Sequence, residues 1–293
     1  CVLVAFIDMS STLPRINILW TCITISWYTY EFTNEGGTMG RFDDTTVVVT
    51  GGGGGIGGAL CRGFAAEGAR VAVLDRDEKA AKNVAGEISS GEATALAVAC
   101  DITERDSVDA AVARVTDELG PIEVLVNNAG WDLFVPFLET QPEDWGRLID
   151  INLVGPLHMH HAILPGMVER GRGRVVNISS DAARVGSSGE AVYAACKAGL
   201  VAFSKTLARE HSRHGITFNV VCPGPTDTAL LATVTNASAN PEKLREAFRR
   251  SIPVGRLGQP DDLVGAVLFF ASNDAAFVTG QVLSVSGGLT MAG

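Results

Sequence analysis

Tyr193 and Lys197 stand four residues apart, and in a helix that spacing puts a phenol and an ammonium on one face, about a turn from each other. Alone, such a pair would be incidental. Ser180 lies thirteen residues before Tyr193, just past a run of strand-forming residues, and Asn152 sits in a preceding long helical segment. Oxidising a secondary alcohol by hydride transfer requires one group to take the hydroxyl proton and another to hold the developing oxyanion. A phenol paired with an ammonium, together with a serine hydroxyl, supplies both.

The elements that must position these groups are legible from residue 45 onward. Short β-branched apolar runs at 45–50, 70–75, 94–100, 123–127, 173–179, 216–222 and 281–285 alternate with helical patterns starting near Ile56, Glu78, Glu104, Pro142, Gly189 and Asp261. Several of these helices end at glycine, at Gly68, Gly120 and Gly215, as C-termini commonly do. This alternation predicts an α/β fold: a single Rossmann-type, doubly wound domain with a seven-stranded parallel sheet and helices on both faces. Right-handed crossovers then place ligands at the carboxyl ends of the strands, where the strand order reverses. Residues 226–258 are too long for a simple connection and are expected to form a substrate lid.

The first strand runs directly into Thr50 and the glycines 51–55, then Ile56, Gly57 and a helix. Backbone amides there can approach a pyrophosphate and the helix N-terminus can face it. Five consecutive glycines fit almost any glycine template, so the context carries the reading. Asp75 ends the second strand about 20 residues further on, where a carboxylate accepts from an adenosine ribose and repels a 2′-phosphate. NAD is therefore the expected cofactor, although the neighbouring Arg76 softens that preference.

With 293 residues, 46% of them hydrophobic, one large domain is expected. The 33 acidic and 23 basic side chains give a formal charge of -10, which repels nucleic acid over most of the surface. Six cysteines without metal-finger or C-x-x-C spacing point to reduced thiols in a cytoplasmic protein. Residues 1–38 differ from the rest. They hold two of the three tyrosines and two of the four tryptophans, and their apolar run at 16–30 is shorter than the ~18–20 residues of a membrane span. They are expected to be a non-native or disordered leader ahead of a domain at 39–293, with no membrane partner. His158, His160 and His161 lack a carboxylate or cysteine at ligand spacing, so packing or an oligomer face is expected and no metal. Arg249 and Arg250 could meet a phosphate, but paired basic residues at a helix end are usually solvated.

Taken together, T-G-x-x-x-G-I-G at 50–57, N-N-A-G at 127–130, I-N-L-V-G at 151–155, Ser180, Y-x-x-x-K at 193–197 and P-G at 223–224 resemble the short-chain dehydrogenase/reductase family over residues 39–293. The resemblance implies that Tyr193 is the general acid/base, and that Lys197 binds the nicotinamide ribose and lowers the tyrosine pKa. It implies that Ser180 polarises the substrate oxygen and that Asn152 holds a water relaying the proton through Lys197. Cofactor contacts are implied at Gly51, Gly55, Ile56, Gly57, Asp75, Asp101 and Ile102. They continue through Asn128, Ala129 and Gly130 to Pro223, Gly224, Thr226 and Thr228. Trp131, Asp132, Arg184 and Leu230 are candidate substrate contacts.

Closer wording at 127–132, 158–161, 180–197 and 222–231 is similar to family members that oxidise the ring hydroxyl of a 2-hydroxycyclohexanecarboxyl-CoA-like 3-hydroxyacyl thioester. It thereby implies an acyl-CoA substrate, alicyclic and aromatic acid degradation, and a homotetramer. An NADPH-dependent 3-oxoacyl carrier-protein reductase shares the same four residues and is the alternative, with Asp75 speaking against it.

Overall fold

The β-branched runs form the seven-stranded parallel sheet, and its order reverses beside the first strand. In the computed structural model, residues 40–91, 93–236 and 240–292 are described, together with the backbone of 6–7 and 16–17. The chain divides into two units, Cys1–Thr38 and Met39–Gly293. In the first, Phe6–Ile7 pairs antiparallel with Ile16–Asn17. The expectation of a leader otherwise falls outside the described residues.

In the second unit the strands are β1 (Thr46–Thr50), β2 (Arg70–Asp75), β3 (Ala95–Ala99), β4 (Ile122–Asn127), β5 (Gly173–Ile178), β6 (Ile216–Pro223) and β7 (Val282–Val285). Their order is β3-β2-β1-β4-β5-β6-β7, and every pairing is parallel. The helices are α1 (Gly55–Ala66), α2 (Glu78–Ser89), α3 (Arg105–Leu119), α4 (Pro142–Ile149), α5 (Gly155–Arg170), α6 (Ala182–Val185), α7 (Ala191–His211), α8 (Ala229–Asn236), α9 (Pro241–Ser251) and α10 (Asp261–Ala271).

Successive residues of a strand face opposite sides, so the runs of valine feed two cores at once. Val47 and Val49 pack with Leu60 and Phe64 of α1, Val84 of α2 and Val267 of α10. Val48 and Leu125 pack on the other side with Val115 of α3, and with Met159 and Met167 of α5. Each such side chain, fully buried, contributes roughly 1.5–3 kcal/mol against leaving it in water.

A polar cluster interrupts the second core. Asn127 Nδ2 donates to Asn177 Oδ1 at 2.9 Å, and Asn177 Nδ2 donates to Ser204 Oγ at 2.8 Å. Beside them His160 is 1% exposed, with Nδ1 2.6 Å from the Pro156 carbonyl. Burial pulls its pKa down to about 4, so it is neutral at pH 7, with Nδ1–H donating. His158 Nδ1 lies 3.0 Å from the Ile102 carbonyl, and His161 faces Arg105. Packing accounts for His160, while His158 is half-buried and His161 exposed.

Among the described residues no helix is long and apolar enough to cross a membrane. Replacing Asn177 with alanine leaves the Asn127 amide and the Ser204 hydroxyl without this partner inside the core. The expected cost is about 2–3 kcal/mol of unfolding free energy, read as a lower urea midpoint.

Candidate active site

The site begins where β1 and β4 separate, because their outgoing loops must diverge around a gap. Four hydrogen bonds clamp the two strand ends before they part. Thr50 Oγ1 accepts from the Asn128 and Ala129 amides at 3.0 and 3.1 Å. Asn128 Nδ2 donates to the Thr50 carbonyl at 3.0 Å and to the Gly51 carbonyl at 3.2 Å.

Above the clamp the glycine turn starts at Gly51, with φ +63°, and a Cβ on Gly57 would stand 2.0 Å from the Gly51 carbonyl oxygen. The first turn of α1 can press against the loop only because no side chain intervenes. Asp75 holds the loop from β2: Oδ2 accepts from the Gly53 amide and Oδ1 from the Asp77 amide, each at 3.0 Å.

A cavity of about 1120 Å³ opens along the carboxyl edge of the sheet. Its cofactor-side wall includes Gly51, Gly55, Ile56, Asp75, Arg76, Asp101 and Ile102. Asn128, Ala129, Gly130, Pro223, Gly224, Thr226 and Thr228 continue it. Of the expected cofactor positions only Gly57 does not line the cavity, since it lies beneath Gly51. An extended, glycine-floored trough ending at a strand-terminal aspartate fits a dinucleotide.

At the other end Ser180, Tyr193 and Lys197 line the same cavity, along with Trp131, Asp132 and Leu230. Tyr193 stands in the first turn of α7 and Lys197 one turn on, with Nζ 5.7 Å from the phenol ring centre. Lys197 is 3% exposed and donates to the Ile178 carbonyl at 3.1 Å. Burial brings its pKa down to about 8.

The phenol behaves otherwise than the sequence suggests. Burial first, then the negative charges of Asp132 and Glu190, push Tyr193 above its ordinary value, with a hydrogen bond to Ser180 opposing them. The lysine lies against the ring and gives a hydrogen bond to a main-chain carbonyl, and burial leads the upward shift of the phenol.

Asn152 is brought close but stays below the surface. It sits in a single π-helical turn, Asp150–Val154, between α4 and α5, where a continuous helix is expected. Pro156 explains the turn in part, because it has no amide proton to give the Asn152 carbonyl. The Asn152 side chain is fully buried; Nδ2 donates to the Trp131 carbonyl at 2.7 Å and the Leu148 carbonyl at 2.9 Å, and Oδ1 accepts from the Trp131 amide at 3.3 Å. It therefore fixes the loop after β4.

Arg184 is the one expected substrate contact that the structure places elsewhere. Its Nη1 donates to Ser284 Oγ at 2.9 Å and its Nη2 donates to the Ala292 carbonyl, tying α6 to β7 and the chain's last turn. A guanidinium already bonded on both arms is not turned to the cavity.

Two further residues line the cavity. Arg147 of α4 stacks on Trp131, 3.9 Å from the ring centre, and Glu190 lines the wall at the start of α7. Glu190 could have been found as the residue one turn before Tyr193.

Residues 226–258 form a two-helix insertion whose ends meet. Thr226 bridges to Gly258, the Asp227 amide donates to the Gly258 carbonyl at 2.8 Å, and Arg245 pairs with Asp227 at 2.8 Å. Leu230, Leu231, Val234 and Phe248 from it line the cavity.

A doubly wound parallel sheet with a glycine-floored trough leading to a tyrosine, lysine and serine defines a nicotinamide-dependent oxidoreductase. The family described as enoyl-(acyl carrier protein) reductase matches residues 51–290, and the chain belongs to this family of short-chain dehydrogenases/reductases. It is 41% identical over 236 residues to the acetoacetyl-CoA reductase of Rhizobium meliloti strain 1021, covering 80% of this chain and 93% of the relative. It is 40% identical to the inactive 2-(S)-hydroxypropyl-CoM dehydrogenase 2 of Xanthobacter autotrophicus, covering 79% of this chain and 99% of the relative. A crystal structure of a short-chain type dehydrogenase/reductase from Mycobacterium marinum superposes with a TM-score of 0.80 at 30% identity, covering 86% of this chain and 97% of that one.

Gly57→Val is expected to displace the turn at Gly51 and weaken nicotinamide dinucleotide binding at least about tenfold, measured by calorimetric titration on protein whose circular dichroism confirms folding.

Proposed function

We propose that this chain is an NAD-dependent dehydrogenase that interconverts a 3-hydroxyacyl-CoA-type thioester and its ketone. The carrying observation is that Tyr193, Lys197 and Ser180 line one wall of the cavity whose other end is the glycine trough. The bound nicotinamide supplies the two-electron acceptor or donor. Tyr193 exchanges the proton with the carbinol oxygen, and Ser180, which lines the same wall, donates to that oxygen as charge develops on it. Lys197 offers a buried cation to the nicotinamide ribose and to the proton path. Because the Asn152 side chain is spent on Trp131 and Leu148, a water relaying the proton would be held at its main-chain carbonyl.

NAD is favoured over NADP by Asp75, whose carboxylate faces the trough where a 2′-phosphate would lie. Arg76 lines the same wall and favours the second reading, an NADPH-dependent 3-oxoacyl carrier-protein reductase. The acyl-CoA class is supported by the acetoacetyl-CoA reductase relative. The ring hydroxyl of a 2-hydroxycyclohexanecarboxyl-CoA-like thioester, and with it alicyclic and aromatic acid degradation, is supported by the wording around 127–132, 180–197 and 222–231. We assign the two-helix insertion the part of a substrate lid, and the protein to the cytoplasm.

A homotetramer is supported by β7, an edge strand of the sheet among the described residues, where Leu283 is 42% exposed, and by Phe277, which is fully exposed. Light scattering at working concentration is expected to give four times the chain mass.

The decisive assay is NAD reduction with 2-hydroxycyclohexanecarboxyl-CoA beside straight-chain 3-hydroxyacyl-CoA esters, repeated with NADP. The cyclic ester with NAD is expected to give the highest kcat/KM, and a preference for NADP with straight-chain esters would select the second reading. Tyr193→Phe is expected to lose at least about a thousandfold in kcat while keeping cofactor affinity within about threefold, and an active Phe variant would overturn the base.

A further inference from the structure

Among the described residues the only arginines whose guanidinium makes no hydrogen bond or ion pair are Arg76, Arg147 and Arg209. Arg209 does not line the cavity, and Arg76 stands beside Asp75 at the cofactor end. Arg147 lines the other end together with Trp131, and the scheme above gives it no part.

The guanidinium is held on a platform that is itself fixed. The fully buried Asn152 side chain grips the Trp131 main chain from both sides, accepting from its amide at 3.3 Å and donating to its carbonyl at 2.7 Å. Arg147 lies over this ring, 3.9 Å from its centre. Glu143 and Asp150, one turn before and after it on α4, line the cavity as well, yet neither pairs with it. A glutamate four residues before an arginine ordinarily closes an ion pair along the helix. Here the aromatic face takes the cation instead.

A guanidinium is planar, permanently charged, and carries its five N–H donors around its edge. Stacking covers a face and leaves that edge open. Such a fork meets two oxygens of a phosphate or sulfonate at once, and an arginine already held against a ring has less freedom to lose on binding.

We propose that Arg147, steadied on Trp131, binds a tetrahedral anion on the tail of the substrate and so selects charged substrates over neutral ones with the same reacting group. This deepens the thioester dehydrogenase reading and rests on it for the identity of that anion as a phosphate of CoA. A sulfonate on a short thioether offers the same oxygens, and the experiment separates the two. Because Arg147 touches the tail and the reacting carbon lies with Tyr193 and Ser180, its contact is made equally in the ground state and the transition state. Its loss is therefore read in KM.

The test uses the full chain saturated with NAD, as wild type, Arg147→Gln and Arg147→Lys, and measures kcat/KM for three alcohols. These are 3-hydroxybutyryl-CoA, the neutral 3-hydroxybutyryl ester of N-acetylcysteamine, and 2-(S)-hydroxypropyl-CoM, which ends in a sulfonate. For a phosphate, the ratio of the CoA ester to the neutral ester is expected to fall at least about tenfold in Arg147→Gln, through KM, and to recover in part in Arg147→Lys. A fall in the ratio of the CoM thioether to the neutral ester instead assigns the site to a sulfonate. Both ratios unchanged within about twofold would overturn the proposal, including the case in which every rate drops together because the Trp131 loop has shifted.

Calorimetric titration of the NAD-loaded proteins with CoA and with 2-mercaptoethanesulfonate reads the site without turnover. Binding that weakens at least about tenfold in Arg147→Gln supports the anion site, and no binding, or binding equal in the two proteins, overturns it. A wild type that turns over neither thioester yet shows this loss of binding takes down the thioester reading and leaves the anion site standing.

Discussion

The hydrogen-bonded clamp between Thr50 and Asn128 is the constraint on which the site depends. At the point where strand order reverses, the ends of β1 and β4 must stay paired while their loops depart in different directions. Four bonds, three of them to main-chain groups of the loop just beyond each strand, hold that divergence to a fixed angle. The cavity is the space so created. Its floor can be flat against a pyrophosphate because the turn is glycine, and its far wall is in reach because α7 starts from the neighbouring strand β5.

Charge inside the cavity is arranged against expectation. A buried lysine beside a tyrosine suggests a phenol made acidic, yet burial, with Asp132 and Glu190 adding to it, acts in the opposite sense. Charge on either group is largely removed from water, where it counts for more than it would at the surface. The protein spends the Asn152 side chain on holding the Trp131 loop in place, and that loop brings Asp132 to the cavity wall.

Much of the fold is readable from the chain. The seven strand runs agree with the observed strands to within a residue at nearly every end, because a strand buried on both faces must be continuously apolar and is punctuated by glycine or polar turns. The glycine trough, Asp75, Ser180, Tyr193 and Lys197 come together as their spacing requires. What was not legible depends on contacts between distant segments. Asn152 falls in a π turn, explained in part by the amide donor that Pro156 lacks, a local effect hidden within a helical pattern. Arg184 lies between two catalytic-looking residues in sequence, but it is drawn to Ser284 and Ala292, a hundred or so positions later. Glu190 joins the cavity wall from the start of α7, and only its place one turn before Tyr193 announces it.

The insertion between β6 and α10 leaves and rejoins the sheet at one place, pinned by Thr226 and Gly258. A second tie lies near its far end, where the Val254 amide donates to the Gly287 carbonyl at 3.1 Å and Ile252 is buried. Between the two ties the segment behaves as a cassette, whose helices can lengthen, shorten or change their apolar faces without transmitting strain to the strands that carry the chemistry. The cavity wall that this segment lends can therefore diverge among proteins of this architecture while the reacting centre stays unaltered, and grafting 227–251 from a relative is a practical route to a differently shaped cavity.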